Sequence, residues 1–264
     1  MRDFYDSSSP APLDQAHGLR RLFAGGLRPC VLPLVANPHV AFGGVVLDRL
    51  AAVLAASGRQ VLVVDAGSGA PQAQELARLD LAVCIERIAP RVGYLPARGL
   101  PLSYVDTRGS AGSFIDALQT AAPWADAILL HAESHEMARL LVRRNARVLL
   151  LGADHPESIK HAYASLKLLV RRCGLMSYDL LLAASAHSPR LAGIATSLAQ
   201  CADSFLGALV HHCAVIDPAV ESSAQADDSL QGLLAEQLAL DEPPWNPAAT
   251  WAPHSAPAVA DVRN

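Results

Sequence analysis

Residues 31–67 read VLPLVANPHVAFGGVVLDRLAAVLAASGRQVLVVDAG, and the fold turns on how this stretch alternates. The apolar run Cys30 to Ala36 is bounded by the loop signal Asn37-Pro38 and has the length of a buried strand. Val46, Leu47, Leu50, Val53 and Leu54 then fall on one face of a 3.6-residue period, which predicts a helix. Gly58 stands just past its end, where a left-handed residue closes helices at no steric cost. Val61 to Asp65 follows as a second apolar run. A strand, a helix and a strand in this order form a βαβ unit, whose two strands are parallel because a helix-length crossover joins them.

Working outward, further short apolar runs occur at Val92 to Ala97, Ala127 to Leu130, Val148 to Leu151, Leu180 to Ala184 and, more weakly, Leu209 to Ile216. Between them, helices are predicted over about Pro156 to Cys173 and about Arg190 to Leu206. In the first of these, Ile159, Tyr163, Leu166 and Val170 form one apolar stripe and Pro156 sits in the tolerant first turn. The expected fold is α/β: a mainly parallel, Rossmann-like sheet between two helical layers. The organisation read from the sequence is an N-terminal segment 1–27, a core domain 28–220, and residues 221–264 comprising a helix and a flexible Pro/Ala-rich tail. The helix, DDSLQGLLAEQLAL, is too acidic for a membrane anchor, which favours Lys and Arg on its polar face, and is expected to pack on the core.

Composition removes several functional classes. The net charge of −4 provides no cationic surface for nucleic acid, whose binding depends on clustered Lys and Arg. The pairs Arg20-Arg21, Arg143-Arg144 and Arg171-Arg172 read as helix ends and solvated faces. The five cysteines lie far apart without a C-x-x-C pair, and the start MRDFYDSSSP lacks a signal-peptide pattern, so reduced thiols and a cytoplasmic location are expected. No apolar run approaches the roughly 18 residues that span a bilayer, which leaves membrane contact at most peripheral.

Four segments in order resemble the MinD/ParA-type P-loop ATPases, and particularly their flagellar subgroup, FlhG (FleN). LDQAHGLRRL resembles the D-Q-A-x-x-L-R segment ahead of the ATPase domain, matching at Asp14, Gln15, Ala16, Leu19 and Arg20. The stretch 31–67 has the spacing of the family's first βαβ unit, with Asp65 at its second-strand acidic position. VGYLPARGL resembles the subgroup's V-x-x-L-P-A-x-x-G strand and loop, while Asp126-Ala-Ile-Leu-Leu resembles the strand leading to the metal-site aspartate. ADHPESIKHAYASLKLL resembles the P-E-P-T-S-I-T-D-A-Y-A-x-I-K helix, matching at Pro156, Ser158, Ile159, Ala162, Tyr163, Ala164, Leu166 and Lys167. The likeness covers roughly residues 12–218. It implies a partner, an FlhF-type GTPase of the signal-recognition class engaged by the short N-terminal helix, and, in active members, ATP-driven face-to-face dimerisation.

The chemistry of the family is missing from the matching positions. A P-loop needs glycine-exposed amides, a Lys for the β/γ-phosphates and a Ser/Thr hydroxyl on Mg²⁺. The corresponding loop is ANPHVAFGG, in which the resemblance places Gly43 at the Lys position, Gly44 at the Thr position and Pro38 at the family's second Lys position. His131 falls at the metal-site aspartate and Ala183 at the base-contacting Asn. Without those charges phosphoryl transfer lacks its stabilisers, so the expectation is a pseudo-ATPase with degenerate Walker motifs that holds neither ATP nor Mg²⁺. Gly43, Gly44 and Asp65 are the residues left to bind a nucleotide in the alternative reading, a residual ATPase using helix-terminal amides. A third reading is a MinD-like accessory of another polar machine, such as cellulose export.

Other candidates read as structural. Asp65 at a strand end also suits a turn or cap residue. HAESH, residues 131–135, spaces its histidines and glutamate from a strand onward and lacks the single-helix arrangement of H-E-x-x-H, so no metal is expected. His211 and His212 alternate along a strand, which lets at most one point into a shared site.

Overall fold

The computed structural model describes residues 28–185, 187–221 and 227–240. The expected partner residues Asp14, Gln15, Ala16, Leu19 and Arg20, and the Pro/Ala-rich tail, lie outside the described residues. Eight strands form one sheet: β1 (Cys30–Val35), β2 (Val61–Asp65), β3 (Glu86–Ala89), β4 (Val92–Pro96), β5 (Ala127–Ala132), β6 (Val148–Ala153), β7 (Ser177–Ala183) and β8 (Leu209–Ile216). Their order is β3-β4-β2-β5-β1-β6-β7-β8, and every neighbouring pair is parallel except the antiparallel β3–β4 edge.

Among the described residues six α-helices accompany them: α1 (Gly43–Ala56), α2 (Gly112–Ala121), α3 (Ser134–Leu140), α4 (Pro156–Cys173), α5 (Leu191–Leu206) and α6 (Asp228–Ala239). Period-2 alternation divides the core. Leu62, Val64, Ile128, Leu130, Leu150 and Leu180 face the layer containing Phe114, Leu118, Met137, Leu166 and Leu198. Val61, Val63, Leu129, Leu149 and Leu181 face the opposite layer, where Leu47, Leu50 and Leu54 of α1 meet Leu230, Leu233 and Leu234 of α6. Burying each such side chain contributes about 1.5–3 kcal/mol, and the double coverage explains the near-continuous apolar strands.

Helix α4 spans the residues expected. Its preceding His155 accepts the Glu157 amide proton at Nδ1 (3.3 Å), Pro156 opens the first turn, and Gly174 closes the helix at φ 68°. Gly58, at φ 89°, likewise follows α1. The expected strand Leu180 to Ala184 begins three residues earlier, at Ser177, because Tyr178 and the buried Asp179 also pair with β6. Strand β3 and helices α2 and α3 are additions to the sequence reading. β3 is four residues long and exposed throughout, so it carries no alternation to read. Helix α6 packs against β8 and β1.

Candidate functional site

The C-terminal ends of β1, β2 and β5 meet where a ligand crevice opens in sheets of this kind. After β1, the loop turns inward on Asn37, which is only 6% exposed. Its Nδ2 donates to Leu151 O (2.7 Å) and Ser158 O (2.9 Å) and lies 3.0 Å from Ser158 Oγ, while its Oδ1 accepts from the His39 amide at 3.1 Å. Ser158 Oγ accepts the Ala153 amide proton. These bonds fasten the loop to β6 and α4.

Pro38 and His39 are exposed, Val40 is buried, and Phe42 projects with 58% of its surface exposed. Helix α1 starts at Gly43 without a side-chain cap or an acidic residue in its first turn. A methyl group added at Gly43 or Gly44 would meet nothing within 4 Å, so neither glycine is required here by close packing. Pro38 contributes no N–H to the loop.

Register places Asp65 of β2 directly beside His131 of β5. His131 Nδ1 lies 2.7 Å from Asp65 Oδ1, and the two side chains are 11% and 13% exposed. The same Oδ1 accepts the Gly67 amide proton at 3.1 Å. Burial first, and then the nearby Asp65 carboxylate, push the Tyr94 phenol up to about 12. Gly67 is required by contact: a Cβ there would stand 2.7 Å from His131 Cε1 and 3.0 Å from Nδ1. Beside this pair, Ser68 Oγ donates to Glu133 Oε1 at 2.8 Å.

Asp65 therefore takes the turn role, accepting the Gly67 amide proton, and its other contact is with His131 of the neighbouring strand. Within HAESH, His131 is held on β5, Glu133 accepts from Ser68, and His135 lies on α3. Among the described residues no group of three or more His, Cys, Asp and Glu side chains is gathered as a metal site requires. Asn37 and Ser158 were visible in the sequence only as a loop residue and a family match. Their signal is a buried polar pair, which requires the tertiary contact to be seen.

Glu136 of α3, the residue after HAESH, is buried with Oε2 unpartnered, and burial pushes its carboxyl above the ordinary 4.5. His135 and Arg139 oppose that shift, and Glu133 adds to it. An acid whose folded-state pKa is raised destabilises the native state as pH climbs above its unfolded value. Glu136→Gln is accordingly expected to raise the melting temperature at neutral pH, with the gain shrinking toward zero as pH falls below 4.5. Thermal unfolding of both proteins across that range is the measurement; a constant difference would contradict it.

The three-layer arrangement, strand order and crevice define the fold of the MinD/ParA-type P-loop ATPases. Solved structures similar to it include three with different tasks. A MinC:MinD cell division complex from Aquifex aeolicus superposes with a TM-score of 0.55 at 11% identity, over 82% of this chain and 98% of that one. A plasmid partition protein of Borrelia burgdorferi bound to AMPPNP gives 0.54 at 10% identity, over 81% and 98%. A cobyrinic acid a,c-diamide synthase of Mycobacterium smegmatis, with an ATP analog and magnesium, gives 0.52 at 16% identity, over 77% and 92%. No family model matches the sequence, and no curated protein matches it. The three neighbours carry out different tasks on one scaffold, so the likeness defines the fold and leaves function to the site. Among the described residues no helix is long and apolar enough to cross a membrane.

Proposed function

We propose that this chain is a degenerate FlhG-like regulator of flagellar number or placement that works by protein–protein interaction. It would present Asp14, Gln15, Ala16, Leu19 and Arg20 to an FlhF-type GTPase at a cell pole. The observation that carries this reading is the Asp65–His131 contact at 2.7 Å. The carboxylate left at the metal side of the crevice is already engaged by an imidazole and an amide. Together with the Lys and Thr positions taken by Gly43 and Gly44, this leaves the matching positions without the lysine and hydroxyl that stabilise a transferring phosphoryl. A nucleotide-independent monomer or dimer follows from the same reasoning.

The open, uncapped start of α1 favours a second reading, in which amides at Gly43 and Gly44 hold an ATP phosphate for slow hydrolysis. The MinC:MinD complex shows a MinD-type chain assembling with a protein partner, which agrees with either reading and with an accessory of another polar machine.

One assay separates them: GTP hydrolysis by an FlhF-type GTPase, with and without this protein and with and without ATP·Mg²⁺. Stimulation is expected without ATP and is expected to be lost in the Asp14→Ala/Gln15→Ala/Arg20→Ala variant. Stimulation that needs ATP·Mg²⁺ and disappears in Asp65→Ala would restore the ATPase reading. Absence of stimulation under every condition would remove the FlhF assignment.

A further inference from the structure

At the opposite end of the sheet from the crevice, under the N-terminal ends of β1, β6 and β7, lies a cavity of about 520 Å³, within the size range of ligand sites. Its walls combine the apolar Val31, Pro33, Ile115 and Leu141 with the cationic Arg28, Arg144 and Arg147, and no Asp or Glu is among the described residues that line it. At the surface beside the cavity, Arg28 and Arg144 share one carboxylate, the exposed Asp116, at 3.7 and 2.9 Å. Two cations on one anion leave positive charge at the Arg28–Arg144 side of the cavity, whereas Arg147 is already paired with Asp179 at 3.8 Å and Glu236 at 3.4 Å. Leu240, the residue that follows α6, also lines it.

We propose that this cavity is the receptor site for the acidic, aromatic segment Asp241–Trp245 of the same chain. The sequence running on from Leu240 is Asp241-Glu242-Pro243-Pro244-Trp245. Fully extended, five residues reach at most about 17 Å, so the segment is tethered at the cavity with a high effective concentration. Its two carboxylates match the arginine wall, where charge-assisted and bidentate pairing with guanidinium groups is the strong form of the contact. The indole supplies the apolar and aromatic area that typically anchors such sites, and two consecutive prolines reduce the chain entropy lost on docking. The other chain segment beginning at this cavity, upstream of Arg28, carries Arg20 and Arg21 and would oppose the arginine wall with like charge. This inference is independent of the proposed function.

The test uses the full chain labelled with 5-fluorotryptophan, which gives one ¹⁹F resonance for each of the three tryptophans, Trp124, Trp245 and Trp251. Single Trp→Phe variants assign them. The Trp245 resonance is expected to shift less between H₂O and D₂O than it does in the urea-unfolded chain. Asp241→Lys/Glu242→Lys is expected to raise that isotope shift to the unfolded value. Adding Arg28→Glu and Arg144→Glu to that variant is expected to lower it again. A Trp245 already at the unfolded value in the unaltered chain, or one indifferent to reversing the two acidic charges, overturns the proposal.

Discussion

Asp179→Ala is expected to lower the unfolding free energy by about 3–5 kcal/mol, the cost typical of stranding the partners of a buried ion pair. Asp179 is fully buried in β7. Its Oδ2 accepts from Gln237 Nε2 at 2.6 Å, and its Oδ1 accepts the His212 amide proton at 3.0 Å. The Arg147 guanidinium lies 3.8 Å from the same carboxylate and 3.4 Å from Glu236, which in turn lies 3.3 Å from His212 Nε2. Removing the central anion leaves Arg147 with only the partly exposed Glu236 and strips the buried Gln237 amide of its acceptor. Since Glu236 and Gln237 both belong to α6, the loss also loosens that helix on the sheet. Urea unfolding is the measurement: the midpoint should fall sharply with the slope unchanged. A loss below about 1 kcal/mol, the range of an exposed pair, would show that the network does not anchor α6.

That network also marks where the sequence stopped being readable. The βαβ unit, the parallel sheet and the full extent of α4 follow from periodicity and capping, because each is decided by residues within a few turns of one another. Asp179 sits in the run SYDLLLA, where nothing local reveals that it will be buried and satisfied. Its partners come from positions 147, 212 and 237, brought together only by the fold. The alternation rule for His211 and His212 captured part of this. His212 approaches Asp179 and Glu236, whereas His211 is exposed with Nε2 3.4 Å from Ser177 Oγ. Strand β3 was illegible for the opposite reason: ERIA is exposed along its length, and only pairing with β4 makes it a strand. Helix α2 did carry a signal, Phe114, Ile115 and Leu118 at helical spacing, all buried.

In the crevice, Asp65 was readable as a position, but its partner was not. The DAG at the end of the second strand shows a carboxylate followed by a glycine, and only the register of β2 with β5 reveals that His131 fills the space between them. Gly67→Val tests whether that packing holds the pair together. The new Cβ would fall 2.7 Å from His131 Cε1, closer than unbonded carbon atoms approach, so the ring or the buried backbone must move. Overpacking of this kind costs about 1–3 kcal/mol. Because Asp65 Oδ1 accepts from both the Gly67 amide and His131, the ring cannot retreat without lengthening its 2.7 Å contact. The expected result is a lower denaturation midpoint together with loss of the downfield His131 Nδ1 proton signal in NMR spectra. A destabilised protein that keeps that signal would mean the backbone yields and the pair survives. A variant with full stability and an intact signal would mean that Gly67 does not hold the ring. If the signal is lost and Mg²⁺ perturbs the Asp65 carboxylate resonance in the variant but not in the unaltered protein, the imidazole competes with a cation for this carboxylate.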